Sequence, residues 1–160
     1  MYLLKNFLLS IFIFSLSISN INAKDLNPQH SLMASGGITD LVLQEDKLFV
    51  ATTASSVDIF NIKTNEKIDS IKMPKIKDFI GDIIESKVYS VDVLKKDILI
   101  LSQGENGGRN VNIYKDGQMQ SIIEDTQRLF IGRAKFLDEN HIVYALLSNQ
   151  IYLYDIKNKK

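Results

Sequence analysis

The chain contains no cysteine and no tryptophan, and only two histidines. Without cysteine there is no disulfide framework and no site for a lipid anchor. The histidines are far apart, His30 in a loose N-terminal lead and His141 in a polar turn slot. No Ser-His-Asp pattern can be placed around either, so a catalytic reading has little support. Neither sign of charge prevails, with 19 Lys and Arg against 19 Asp and Glu. That balance gives no electrostatic reason to expect nucleic acid or an anionic membrane as partner.

No apolar run reaches the roughly 20 residues needed to cross a bilayer as a helix. The longest, Phe7 to Ile18, follows Lys5 and leads into Ser19-Asn20-Ile21-Asn22-Ala23. Positive, apolar and small-residue zones in that order read as a secretory signal, cleaved after Ala23. No twin arginine precedes it, so the general export route is expected. A periplasmic or secreted protein follows, with no membrane attachment after cleavage. Residues 24–160 would form the mature chain, with a formal charge near −1 once Lys5 is gone.

What the mature chain does have is repetition. Ile38 to Leu43, a polar turn, and Leu48 to Thr52 recur 50 positions later as Val88 to Val93 and Ile98 to Ser102. Ala134 to Leu137 and Ile142 to Leu146 give a third copy. Third strands follow at Val57–Phe60, Val111–Tyr114 and Ile151–Tyr154, and fourth strands at Ile68–Ile71 and Met119–Ile122. Second strands such as Leu48 to Ala51 are apolar on both sides of the pleat and must be covered on both faces. Four strands per repeat of roughly 40 to 50 residues predict an all-β chain, a β-propeller of WD40-like four-stranded blades. The expected organisation is a signal helix over 1–23, a lead over 24–37, and a partial propeller over 38–160. Blades fall at about 38–73, 88–124 and 132–160, some two and three-quarter blades. Propellers need about four or more, so the sequence reads as a truncated frame or a fragment. An open arc of this kind would expose apolar faces and a bare strand edge.

The third strands end on an aromatic and a polar residue: Phe60-Asn61, Tyr114-Lys115 and Tyr154-Asp155. WD40 repeats carry Trp-Asp in that slot. This chain also lacks their Gly-His pair, so apolar packing must hold the blades together, at about 25 cal/mol per Å² buried.

Loop length points to one face of the blades. The turns Gln44–Lys47, Lys63–Glu66, Lys95–Asp97, Asp116-Gly117 and Asp138–Asn140 are short, whereas Pro74–Lys87, Gln103–Asn110 and Asp125–Arg133 are long. Long loops on a rigid scaffold commonly carry binding. Lys75 to Asp82 reads as a helical turn, with Phe79 and Ile83 facing the blade and Asp78 and Asp82 sharing a face. Those carboxylates suit a cation or a partner's arginine, or stay solvated, and no metal, cofactor or catalytic residue is assigned. The Gly-rich Gln103 to Arg109 precedes no helix that could aim N–H groups at a phosphate. It reads as a turn with Arg109 at its edge. Lys75, Lys77, Phe79, Asp82 and Arg109 are the candidate partner contacts.

Several longer segments resemble a known family. They are Ile71 to Asp82, Val88 to Asp92, Ala134 to Asn140 and Leu147 to Lys157. These are similar to the WD40-like accessory protein encoded beside periplasmic nitrate reductase in ε-proteobacteria. The resemblance implies a periplasmic, non-catalytic accessory to nitrate reductase assembly or activity, whose partner is a component of that enzyme. It carries over no catalytic residue. A propeller enzyme and a cell-envelope assembly scaffold are the alternative readings. The first is disfavoured by the missing tryptophan docking motifs of quinoprotein blades, the second by the missing lipid-anchor cysteine.

Overall fold

Short runs of Val, Ile, Leu and Tyr, most of them joined by polar turns of a few residues, favour antiparallel strands that pair with their neighbours in sequence. The computed structural model describes residues 27–160. The expected export signal, residues 1–23 with cleavage after Ala23, lies outside the described residues. Ser31–Lys160 form one compact unit of the chain.

Strands β1 (Ile38–Gln44), β2 (Lys47–Thr52), β3 (Ser56–Asn61) and β4 (Glu66–Lys72) form a first antiparallel sheet in sequence order. A small hairpin, β5 (Ile76–Lys77) and β6 (Ile83–Ile84), lies in the connection to the second sheet. That sheet contains β7 (Val88–Leu94), β8 (Asp97–Gln103), β9 (Arg109–Lys115) and β10 (Gln118–Ile123), again in sequence order. The third has β11 (Ile131–Phe136), β12 (His141–Leu146) and β13 (Ile151–Asp155). The chain is therefore all-β, built of antiparallel sheets. Among the described residues no helix is long and apolar enough to cross a membrane.

The strands fall where the repeat placed them, with one informative shift. β11 opens at Ile131, not Ala134, because the register slips between Ile131 and Arg133. Such a bulge sets two residues against one and interrupts the alternation that reveals a strand in sequence. The first strands of the other two sheets slip at the same place, between Ile38 and Asp40 and between Val88 and Ser90. At the opposite ends the hairpins are tight. Asp116-Gly117 turns with both residues at positive φ, 48° and 79°, the type I′ geometry that an Asp-Gly pair favours.

Successive side chains of a strand point to opposite faces, and β8 uses both. Ile98 and Ile100 join Phe49, Ala51, Val57 and Ile59 of the first sheet in one core. Leu99 and Leu101 join Ile131, Ala134, Ile142 and Tyr144 of the third sheet in another. The second sheet is thus sandwiched, which accounts for its uninterrupted apolar second strand.

Polar ties accompany each joint. The Thr39 hydroxyl donates to the Val88 carbonyl at 2.6 Å, and the Asp40 carboxylate accepts the Val91 amide at 3.2 Å. At the next joint Asp92 accepts the Phe136 amide at 2.8 Å. A further tie holds the N-terminal lead. Asp58, fully buried in β3, accepts the Ser35 amide at 2.6 Å, three serine hydroxyls (Ser35, Ser56 and Ser70), and the Lys67 ammonium at 3.1 Å.

Candidate functional site

In a four-stranded meander the second turn and the connection to the next sheet leave from the same end. Here the 53–55 turn, the 73–87 connection, the 104–108 turn and the 124–130 connection gather there. They are bound to one another. Ser55 Oγ accepts the Ser86 amide at 2.8 Å and donates to its carbonyl at 3.1 Å. Ser86 Oγ donates to the Gln103 carbonyl at 2.6 Å. Asp125 joins two of the loops, because its carboxylate accepts the Glu105 amide at 2.6 Å while its own amide donates to Asn110 Oδ1 at 2.9 Å.

That approach explains Gly104 and Gly108. A Cβ added to Gly108 would lie 2.6 Å from Asp125 Cβ and 2.8 Å from its carbonyl oxygen, and one on Gly104 would press harder still. Contacts that close cannot be accommodated without moving backbone. Gly108→Ala should cost about 1–3 kcal/mol in a urea melt, the usual penalty of overpacking. Retained wild-type stability would mean the two loops separate freely. The segment is a 3-10 turn, Glu105–Gly107, wedged against Asp125, not a loose loop.

The Lys75–Asp82 segment corrects the expected helical turn. It forms the β5–β6 hairpin, whose tip is held by Asp78: the Oδ1 atom accepts the Ile80 and Asp82 amides, each at 2.9 Å. The helical face that Asp78 and Asp82 would share never arises, because this short-range side-chain bonding competes with helix formation. Nor do Phe79 and Ile83 face the sheet. They stand 86 % and 69 % exposed, with Ile80 beside them.

The other expected contacts divide. Lys75 pairs with Glu85 at 3.0 Å, both well exposed. The Lys77 amide reaches Glu105 Oε1 at 3.4 Å, and Asp82 is exposed at the hairpin tip. Lys75, Lys77, Phe79 and Asp82 therefore share one hairpin. Arg109 lies outside that hairpin, at the edge of the 104–108 turn. It opens β9 with its guanidinium 3.4 Å from the centre of the Tyr89 ring, and burial pulls its pKa below the usual arginine value. One face of its guanidinium is thus engaged by a ring within the chain.

Two features were not foreseen from the sequence. Phe130 and Leu147 are exposed at the same end as the long loops, where they border an apolar hollow of about 450 Å³ with Arg128 and Leu146. The adjacent Leu129-Phe130 pair inside a polar connection was the available signal. The second feature is a charge cluster across the three first strands. Arg133 lies 3.0 Å from Asp40, and Lys135 lies 3.4 Å from Asp92 and 3.9 Å from Asp40. Residues so distant in sequence give no local pattern, so only the stacking of the sheets brings them together.

His141 opens β12, half-buried, with Nδ1 2.9 Å from Asp138. Among the described residues no group of three or more His, Asp or Glu side chains could hold a metal ion. At the other end of the sheets the short turns carry exposed ion pairs, Lys63 with Asp46 at 2.6 Å and Lys95 with Glu139. Pairs this exposed contribute little.

No protein-family model and no curated protein matches the chain. Among solved structures, the crystal structure of the computationally designed Ika4 protein is similar to it at 17 % identity, with a TM-score of 0.50. The match covers 79 % of this chain and 71 % of that one. At that identity the likeness concerns the fold alone.

Proposed function

We propose that this chain is a periplasmic, non-catalytic accessory protein that acts by protein–protein contact. Its three sheets are read as consecutive blades of a WD40-like propeller. The long-loop end is the partner face, and the partner is a component of periplasmic nitrate reductase. One observation carries the docking part of this reading: Phe79, Ile80 and Ile83 project into solvent from a hairpin whose tip Asp78 ties by two hydrogen bonds. Exposed aromatic and aliphatic side chains on a preorganised support are the usual anchors of a protein interface. The export-signal pattern of residues 1–23 supports the compartment, and the family resemblance supports the client.

The test is co-purification from periplasm with the chain as bait. Alanine at Phe79 should lower capture of a nitrate reductase component by about thirtyfold, the effect of losing roughly 2 kcal/mol. Because the ring is exposed, the same change should shift folding stability by no more than about 0.5 kcal/mol. Lys75, Lys77 and Asp82 should contribute less, and alanine at Lys63, Glu66 and Lys95 on the other end should change nothing. Equal loss from both sets, or no nitrate reductase component captured by the unaltered chain, would defeat the reading.

A further inference from the structure

The face of the second sheet that meets the first is apolar where Ile98 and Ile100 enter the core, and turns polar toward the long-loop end. Ser102 is opposite Asn110, Ile100 is opposite Asn112, and Asn112 is opposite Ser121, so these polar side chains share that face. Together with Met73, Pro74 and Ile76 of the 73–87 connection they line a cavity of about 290 Å³. Such a volume suits a small molecule. Ser86 and Ser102, both in its lining, are 1 % and 2 % exposed. Gln103 lines it too, and its buried Oε1 atom has no hydrogen-bond partner among the described residues. A buried acceptor left unsatisfied is costly, so the site favours a donor. Among the described residues Glu124 and Asp125 are the only charged ones in the lining, and no basic side chain joins them.

The first sheet shows what the same register positions do when a donor reaches them. Val50 is opposite Asp58 and Asp58 opposite Ser70, as Ile100 is opposite Asn112 and Asn112 opposite Ser121. There the acceptors converge on nitrogen: Asp58 takes the Lys67 ammonium at 3.1 Å and the Ser35 amide at 2.6 Å. Lys67 lies opposite Phe60, and the residue in that place on the second sheet, opposite Tyr114, is Met119. Met119 lines the cavity and carries no charge. The second sheet thus repeats the acceptors without the ammonium. Asn112 stands where Asp58 does, and Glu124 and Asp125 return negative charge to the cavity.

We propose that this cavity binds a small molecule carrying a primary ammonium group. The ammonium offers three donors to carboxamide, hydroxyl and carboxylate oxygens, and the bonds to the carboxylates are charge-assisted. A short aliphatic body packs on Met73 and Ile76, both buried in the wall. An anion would meet two carboxylates and no counter-charge.

The experiment is an NMR titration of the isotopically labelled chain with n-butylammonium, and with butan-1-ol and butanoate as probes of the same length. Butylammonium should bind at about 1 mM, the weak affinity of so small a probe, and shift the backbone amides of Ser86, Ser102 and Asn112. The alcohol and the carboxylate should leave those amides unmoved at about ten times that concentration. Met119→Lys supplies an ammonium from the place that Lys67 has in the first sheet, and should weaken butylammonium binding by at least about tenfold. Glu124→Gln removes one carboxylate and should weaken it by about tenfold. Both positions are exposed, and circular dichroism confirms that the variants fold. Butylammonium that leaves the three amides unmoved overturns the proposal. So does equal binding of butan-1-ol or butanoate, or binding that either folded variant leaves unchanged. No partner protein enters the experiment, so its outcome is independent of the docking reading.

Discussion

Asp58→Ala should destabilise the chain by about 3–5 kcal/mol, the range seen when one partner is removed from a buried, paired charge. The carboxylate is wholly enclosed and is the shared acceptor for one amide, three hydroxyls and Lys67. Its loss leaves those donors facing one another with nothing to accept from them. Asp58→Asn keeps an acceptor oxygen and should cost less, about 2 kcal/mol. Urea denaturation at neutral pH measures both. A loss under about 1 kcal/mol for the alanine variant would mean that water takes over the site, so the cluster would not be structural.

The same residue sets a pH dependence. Burial alone would raise its pKa, but the bonds from the Ser35 amide, Ser70, the Ser35 hydroxyl and Lys67 outweigh that and hold it at about 2, against an ordinary 3.8. A carboxylate depressed on folding stabilises the folded state above the unfolded pKa. That contribution, about 2 kcal/mol, is lost as pH falls from near 4 through 2. Asp58→Asn should lack this segment of the acid profile. Parallel acid profiles for the two proteins would assign the loss to other carboxylates.

The second large effect belongs to β8. Leu99 and Ile100 are adjacent in sequence, 1 % and 0 % exposed, and point into different cores. Either one changed to alanine should cost about 2–5 kcal/mol, as a cavity opens between sheets that cannot close over it. Since the two side chains serve separate joints, Leu99→Ala should loosen the third sheet and Ile100→Ala the first. Hydrogen exchange resolves this: faster exchange should appear first in β11–β13 for one variant and in β1–β4 for the other. Identical exchange patterns would mean that the three sheets unfold as one cooperative unit. Leu153→Ala, at an exposed position of matching register, serves as the contrast and should leave the stability of an isolated chain within about 0.5 kcal/mol.

Strand positions were legible because alternation and turn chemistry are local: Asp116-Gly117 announces a tight hairpin whatever surrounds it. The doubly apolar Ile98 to Leu101 run also announced its sandwiched place, since a half-exposed strand would alternate instead. The start of β11 was not legible, because a bulge shifts the alternation at Ile131. The hairpin at 75–85 was misread for a similar reason. Its spacing permits a helical turn, and the choice against one rests on the Asp78 side chain bonding back to its own loop. The stacking of Arg109 on Tyr89 was not legible, because the ring lies on another strand.

By itself, then, the sequence determined the repeat, the strands and the all-β class, each a consequence of side-chain period and turn residues within a few positions. It also determined the imbalance between long and short loops, which is a matter of counting. Only the tertiary structure decided which charged residues are engaged and which side chains stand free. Asp40, Asp92, Arg133 and Lys135 meet through the stacking of three sheets, and Asp58 draws its partners from β3, β4 and the lead. Such contacts depend on distance in space, and a one-dimensional pattern contains no term for it. The exposed Phe79 and the uncovered Leu153 belong to the same class of fact. Each is as apolar as its buried counterparts, and only the presence or absence of a neighbouring sheet separates a core residue from a surface one.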